Sequence, residues 1–170
     1  MMLAHQEIKE AREQGLLDIE PWHENLLGAT SYDVTLGDIA GLPYVYDASL
    51  GNMRYISRTP AWLLYPNAFV LGSTAQRVTL SDQITAQLVG KSTRAREGIQ
   101  IESAGFVDAG FVGQLTLEIK ELAGKAQLLH PDMKIGQLVF FKHTSTMKPY
   151  GTYGRYMDQH GPTSPRAERE

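Results

Sequence analysis

The chain has 170 residues, 42% of them hydrophobic and 21% charged, with a net charge of −3. That is enough for one well-buried domain and too little for two, and the acidic balance argues against a nucleic-acid partner. Cysteine is absent, which excludes disulfides and cysteine-held zinc and makes an intracellular, cytoplasmic setting the expectation.

The first segment, MMLAHQEIKEAREQG, predicts a short amphipathic helix in which Leu3, Ile8 and Ala11 share a face and Gly15 provides the stop. It contains no apolar run long enough for a signal peptide or a membrane span, so no membrane association is expected. Ser31–Asp38 alternates as a strand, with Tyr32, Val34 and Leu36 on one face. Gly41–Tyr65, with its aromatics, prolines and Trp62, reads as an irregular hairpin insertion. Ala68–Asp82 gives two apolar runs broken at Gly72-Ser73, and Ile84–Gly90 is a further strand. Gly113–Leu122 alternates strictly, Leu115, Leu117 and Ile119 facing one way and Thr116, Glu118 and Lys120 the other. Met133–His143 is a last apolar strand, and GPTSPRAERE is a polar tail expected to be mobile. Short strands at this spacing predict a mostly β sandwich or barrel with few helices, in one domain spanning 1–170 with a mobile segment from about 150.

Three stretches between Gly90 and Glu118 could carry chemistry. Gly90-Lys91-Ser92-Thr93-Arg94-Ala95-Arg96 looks like a strand running into a helical turn, where backbone N–H groups and cations suit an anion. A capped surface helix with solvated arginines explains it equally well, and the glycine spacing of a Walker loop is missing. Ser103 to Gly113 holds three glycines in nine residues and one acid, Asp108, able to accept from a ligand hydroxyl or to satisfy its own turn. Glu118 is either a solvent-facing acid beside Lys120 or, if its face lines a pocket, a general base whose pKa burial would raise. The five histidines (His5, His23, His130, His143, His160) show no metal-ligand spacing.

Taken in order, GKSTRAREG, SAGFVDAGFVG and LTLE resemble the dCTP deaminase family of the dUTPase-like superfamily. SYDVTLGD, FVLGSTAQRVTL, HPDMKIGQLVF and PYGTYGRYMDQHGPTSPR extend the resemblance over nearly the whole chain. It implies a distorted β-barrel or jelly-roll subunit, assembled as a homotrimer whose active sites are shared between neighbours. It also implies zinc-free hydrolytic deamination of dCTP to dUTP and ammonia, the substrate entering as its Mg²⁺ complex.

The resemblance assigns roles residue by residue. Glu118 is the acid/base, Ser92 orients the water, and Arg96 steadies charge beside them. Lys91, Thr93, Arg94 and Ala95 contact the triphosphate, and Asp108 holds the deoxyribose 3′-hydroxyl. The backbone around Ala104 reads the pyrimidine edge, with Thr116 and Leu117 of the LTLE run alongside. Gln137 contacts the nucleotide, and Tyr150, Arg155 and Gln159 close over it with the tail through Thr163. Lys91 stands where arginine is common and loses its bidentate fork; Arg94 replaces an apolar residue, and Arg155 a lysine.

One subgroup of the family stops at dUTP and another continues in the same site to dUMP and pyrophosphate. Phe106, where the single-step type carries arginine, and Gln137 in KIGQL favour the second outcome without fixing it. Two alternatives stand beside this reading: a monofunctional dUTPase, against which Glu118 argues, and an inactive nucleotide-sensing protein on the same scaffold.

Overall fold

The computed structural model describes residues 1–37, 62–101 and 104–167, together with the backbone of 44–47 and 52–55. Helix α1 (His5–Glu13) turns Ile8 and Ala11 inward. The Glu7 carboxylate accepts the Ala4 N–H at 2.8 Å, satisfying one of the amides a helix start leaves open. Leu3 is buried ahead of the helix, its N–H bonded to the Phe140 carbonyl at 2.9 Å. Gly15 follows with φ +69°.

Among the described residues the helix is followed by the strands β1 (Leu17–Glu20), β2 (Tyr32–Thr35), β3 (Tyr44–Asp47), β4 (Asn52–Tyr55), β5 (Trp62–Leu64) and β6 (Phe69–Leu80). After β7 (Ile84–Gly90) comes helix α2 (Ser92–Glu97), then β8 (Ile99–Gln100), β9 (Phe106–Val107), β10 (Val112–Glu121), β11 (Gln127–Leu129) and β12 (Lys134–Lys142). One sheet runs β4-β3-β6-β10-β8, with β1 also paired to β6; a second runs β2-β12-β7-β9; β11 and β5 make a ribbon. One core takes Val78, Leu117 and Ile119 from the first sheet and Ile84, Leu88, Leu138 and Phe140 from the second. The mostly β architecture with few helices expected from the strand spacing is the one observed.

Some local expectations change. β6 is a single strand across Gly72-Ser73 rather than two. A Cβ at Gly72 would lie 3.0 Å from Ile119 Cδ1 and 3.1 Å from Leu36 Cδ1, so the glycine admits neighbouring side chains without ending the strand. β2 is buried on both faces, not one. Its Thr35 N–H donates to Gln76 Oε1 at 2.9 Å, and Gln76 Nε2 donates to Thr35 Oγ1 at 3.0 Å, joining the two sheets through a satisfied buried pair. Within Gly41–Tyr65, β3 pairs antiparallel with both β4 and β6, and Trp62 begins the ribbon. Gly41, Asp38 and Ser103 lie outside the described residues.

Candidate active site

Strand β10 builds the floor. Period-two alternation buries Leu115, Leu117 and Ile119 and leaves Gln114, Thr116 and Glu118 half-buried on the opposite face. That face borders a cleft of about 780 Å³, within the range of small-molecule sites. Glu118 and Thr116 line it from the strand; Ala104, Phe106 and Asp108 line it from the loop before β10. Tyr150, Gln159 and Thr163 come from the C-terminal segment.

The loop is held in place by backbone. Gly110, at φ +82°, donates its N–H to the Ser81 carbonyl at 2.9 Å, and the Ala109 carbonyl accepts from Tyr150 at 2.7 Å. Tyr150 packs between Phe111 and Tyr153, ring centroids 5.7 and 5.4 Å away. Burial pushes the Tyr153 phenol above its ordinary pKa, and the adjacent Asp108 adds its charge and a hydrogen bond. Asp108 and Phe106 also wall a second cavity of about 590 Å³, which reaches His143 and Lys148.

The C-terminal segment lies along β10. The Thr163 N–H donates to Thr116 Oγ1 at 3.1 Å, and Gln159 Nε2 donates to the Gln114 carbonyl at 2.7 Å. Gln159 is 8% exposed, and its Oε1 has no protein partner. The cleft is therefore lined by the carboxylate-bearing Glu118 from the strand, by Asp108 from the preceding loop and by the buried amide residue Gln159 from the C-terminal segment.

The other residues singled out in the sequence lie elsewhere on the same chain. α2 follows β7, and Gly98, at φ +89°, ends it. Ser92, Thr93, Ala95 and Arg96 on it are exposed. Arg94 pairs with Glu97 at 2.5 Å. Lys91 Nζ is 2.5 Å from Asp33 Oδ1, and Lys134 Nζ is 3.1 Å from the other oxygen. Gln137 sits on β12 opposite Asp33 and Val89. Arg155 donates to the Arg166 carbonyl at 3.4 Å. Leu117 is fully buried in the core, so its side chain is a packing group, and it does not line the cleft.

Some residues with local roles were not singled out in the sequence. Glu121 is fully buried and accepts the backbone N–H groups of Asn67, Ala123, Gly124 and Lys125 at 2.5–3.4 Å. Burial raises its pKa, but these four amides outweigh that and hold it below the usual carboxylate value. Its parity with Leu115, Leu117 and Ile119 was the available signal. Gln114 and the Arg77–Asp158 ion pair had no such signal. Among the described residues no group of three or more His, Asp or Glu side chains is placed to hold a metal, and no helix is long and apolar enough to cross a membrane.

The family model described as dCTP deaminase-like matches residues 2–143. A protein of Tropheryma whipplei (strain Twist) named dCTP deaminase, dUMP-forming is 37% identical over 179 residues, covering 96% of this chain and 91% of that one. Those of the same name from Leifsonia xyli subsp. xyli and Clavibacter michiganensis subsp. michiganensis are 37% and 38% identical over 182 residues, each covering 98% of this chain and 90% of theirs. The crystal structure of 2′-deoxycytidine 5′-triphosphate deaminase from Agrobacterium tumefaciens superposes with a TM-score of 0.69 at 17% identity, over 84% of this chain. This chain spans 48% of that one, and the likeness is one of fold.

Proposed function

The chain belongs to the dCTP deaminase-like family, and from that premise we propose that it deaminates dCTP and carries the product on to dUMP. The observation that carries this reading is the cleft shared by Glu118 and Asp108. It offers an acid/base on the strand and a sugar acceptor in the adjoining loop, around a space suited to one nucleotide.

In this mechanism Glu118 takes a proton from water as the oxygen attacks C4 of cytosine. Glu118 hands that proton to the ring nitrogen, then takes the proton of the new C4 hydroxyl and passes it to the amine as the C4–N bond breaks and the C4 carbonyl forms, giving dUTP and ammonia. Asp108 accepts the 3′-hydroxyl, and the backbone at Ala104 reads the pyrimidine edge. Tyr150, Arg155 and Gln159 bound the nucleotide from the C-terminal segment, which from about residue 150 is the mobile part of the single domain. A second water then attacks the α-phosphorus and releases pyrophosphate. The names of the relatives support this step, as does the exposed Phe106 at the cleft. Magnesium arrives with the triphosphate and belongs to the substrate.

Ser92 and Arg96 sit on α2, outside the cleft of their own chain. A homotrimer completes the site: α2 of a neighbouring subunit brings Ser92 to the water, Arg96 to the developing charge, and Lys91 through Ala95 to the phosphates. Gln137 belongs to that same contribution. The enzyme works in the cytoplasm on a free nucleotide, with neither nucleic acid nor membrane as partner.

Purified protein incubated with dCTP and Mg²⁺ should release ammonia, dUMP and pyrophosphate, with little dUTP accumulating. Ammonia with dUTP as the end product would overturn the second step, and no ammonia would overturn the deamination. Glu118→Gln should lose about 10²-fold or more in ammonia release while still binding dCTP; release at the parent rate would refute the role of Glu118.

A further inference from the structure

The C-terminal segment reaches the cleft through a few polar contacts, and two residues of the β-sheet make the central ones. Arg77 of β6 faces Gln114 of β10 across the ladder. Its Nη2 is 2.5 Å from Asp158 Oδ1, while its Nη1 is buried without a partner. Asp158 holds a left-handed backbone, φ +55°, and donates its N–H to the Val112 carbonyl at 2.7 Å. The next residue is Gln159, the buried amide on the cleft wall. Gln114 grips the other side of it. Its backbone N–H donates to the Gln159 carbonyl at 3.0 Å, and its Oε1 accepts the Gly161 N–H at 2.7 Å. Its Nε2 donates to the Thr74 carbonyl at 3.0 Å, which fixes the amide's orientation.

We propose that Arg77 and Gln114 are positioning residues for the nucleotide site: together they fix residues 158–163 so that Gln159 and Thr163 are held in place on the cleft wall. The inference rests on the nucleotide reading given above. Neither residue touches the substrate. Each acts through the segment, on binding and not on the proton transfers at Glu118. A group that only shapes the cleft wall contributes equally to ground and transition states, so its loss raises KM and spares kcat.

The test compares Arg77→Gln, Asp158→Asn and Gln114→Leu with the wild type in steady-state deamination of dCTP. It also follows the rate of tryptic cleavage after Arg155, which reports the segment without reference to activity. Arg77→Gln and Asp158→Asn should each raise KM about three- to fivefold with kcat within about twofold. The double variant should be no worse than either single one. The ratio to wild type should shrink at high salt, because the pair is partly exposed. Arg77→Lys, which keeps the charge, should restore KM. Gln114→Leu should raise KM about three- to tenfold. All three variants should be cleaved faster after Arg155.

Unchanged cleavage would overturn the proposal, as would faster cleavage with unchanged KM. A fall in kcat accompanied by a lower melting temperature would show a merely structural role. A wild type that released no ammonia from dCTP would overturn the nucleotide reading instead, and the cleavage comparison would still decide whether the pair holds the segment.

Discussion

Glu118 and Glu121 sit on one strand and face opposite ways. Glu118 borders the cleft. Glu121 turns into the core, where the amides of Ala123, Gly124 and Lys125 make it the organiser of the turn after β10 and the Asn67 amide ties that turn to the start of β6. The fate of each follows from strand parity and from the partners the fold supplies, since an ionised buried acid survives only when donors surround it. Glu121 predicts a pH dependence. Its folded pKa lies below its ordinary value of 4.5, so it stabilises the fold above that pH, and the contribution is lost as pH falls toward the lower folded value. Urea midpoints of the wild type should therefore drop through this acidic window. Those of Glu121→Gln should start lower at neutral pH and vary less over the same window; parallel curves would refute the assignment.

Helix α2 shows how an element is aimed. Glycine at position 98 lets the chain reverse at φ +89°, and a Cβ there would meet the Cβ of Ala123 well inside contact distance. The Leu122 N–H donates to the Gly98 carbonyl at 2.8 Å, tying the helix exit to the end of β10. Gly98→Ala should therefore cost about 1–3 kcal/mol in urea unfolding, combining an unfavourable backbone with steric overlap. It should also slow deamination, because Ser92 and Arg96 ride on the displaced helix; an unfolding midpoint equal to the wild type would sink this account. Alternation made β10 legible in sequence to within a residue, because a half-buried strand must repeat its apolar residues every second position, and β7 and β12 were legible as short apolar segments to within a residue. The same rule misled at Gly72. The sequence there reads as two apolar runs broken at Gly72-Ser73, and only the packing of Ile119 and Leu36 explains why one strand needs a glycine at that point.

The whole molecule divides the expected site into two groups. Glu118, Asp108, Ala104, Thr116, Tyr150 and Gln159 gather round one cleft, while α2 carries the serine and arginines elsewhere. If neighbouring subunits complete each site, two inactive proteins should complement. Glu118→Gln mixed and reassembled with Arg96→Ala should regain ammonia release, since some mixed sites combine a sound cleft with a sound α2. Failure of reassembled trimers to regain any activity would refute shared sites. By itself the sequence determined the mostly β class, the strands of clear alternation and, through the order of its motifs, the family. Those features are written in local periodicity and in runs of neighbouring residues. Only the tertiary structure decided which backbone amides the Glu121 carboxylate accepts and that Arg77 meets Asp158. Such contacts join strands far apart in the chain, and no local pattern records which residue a long-range partner will face.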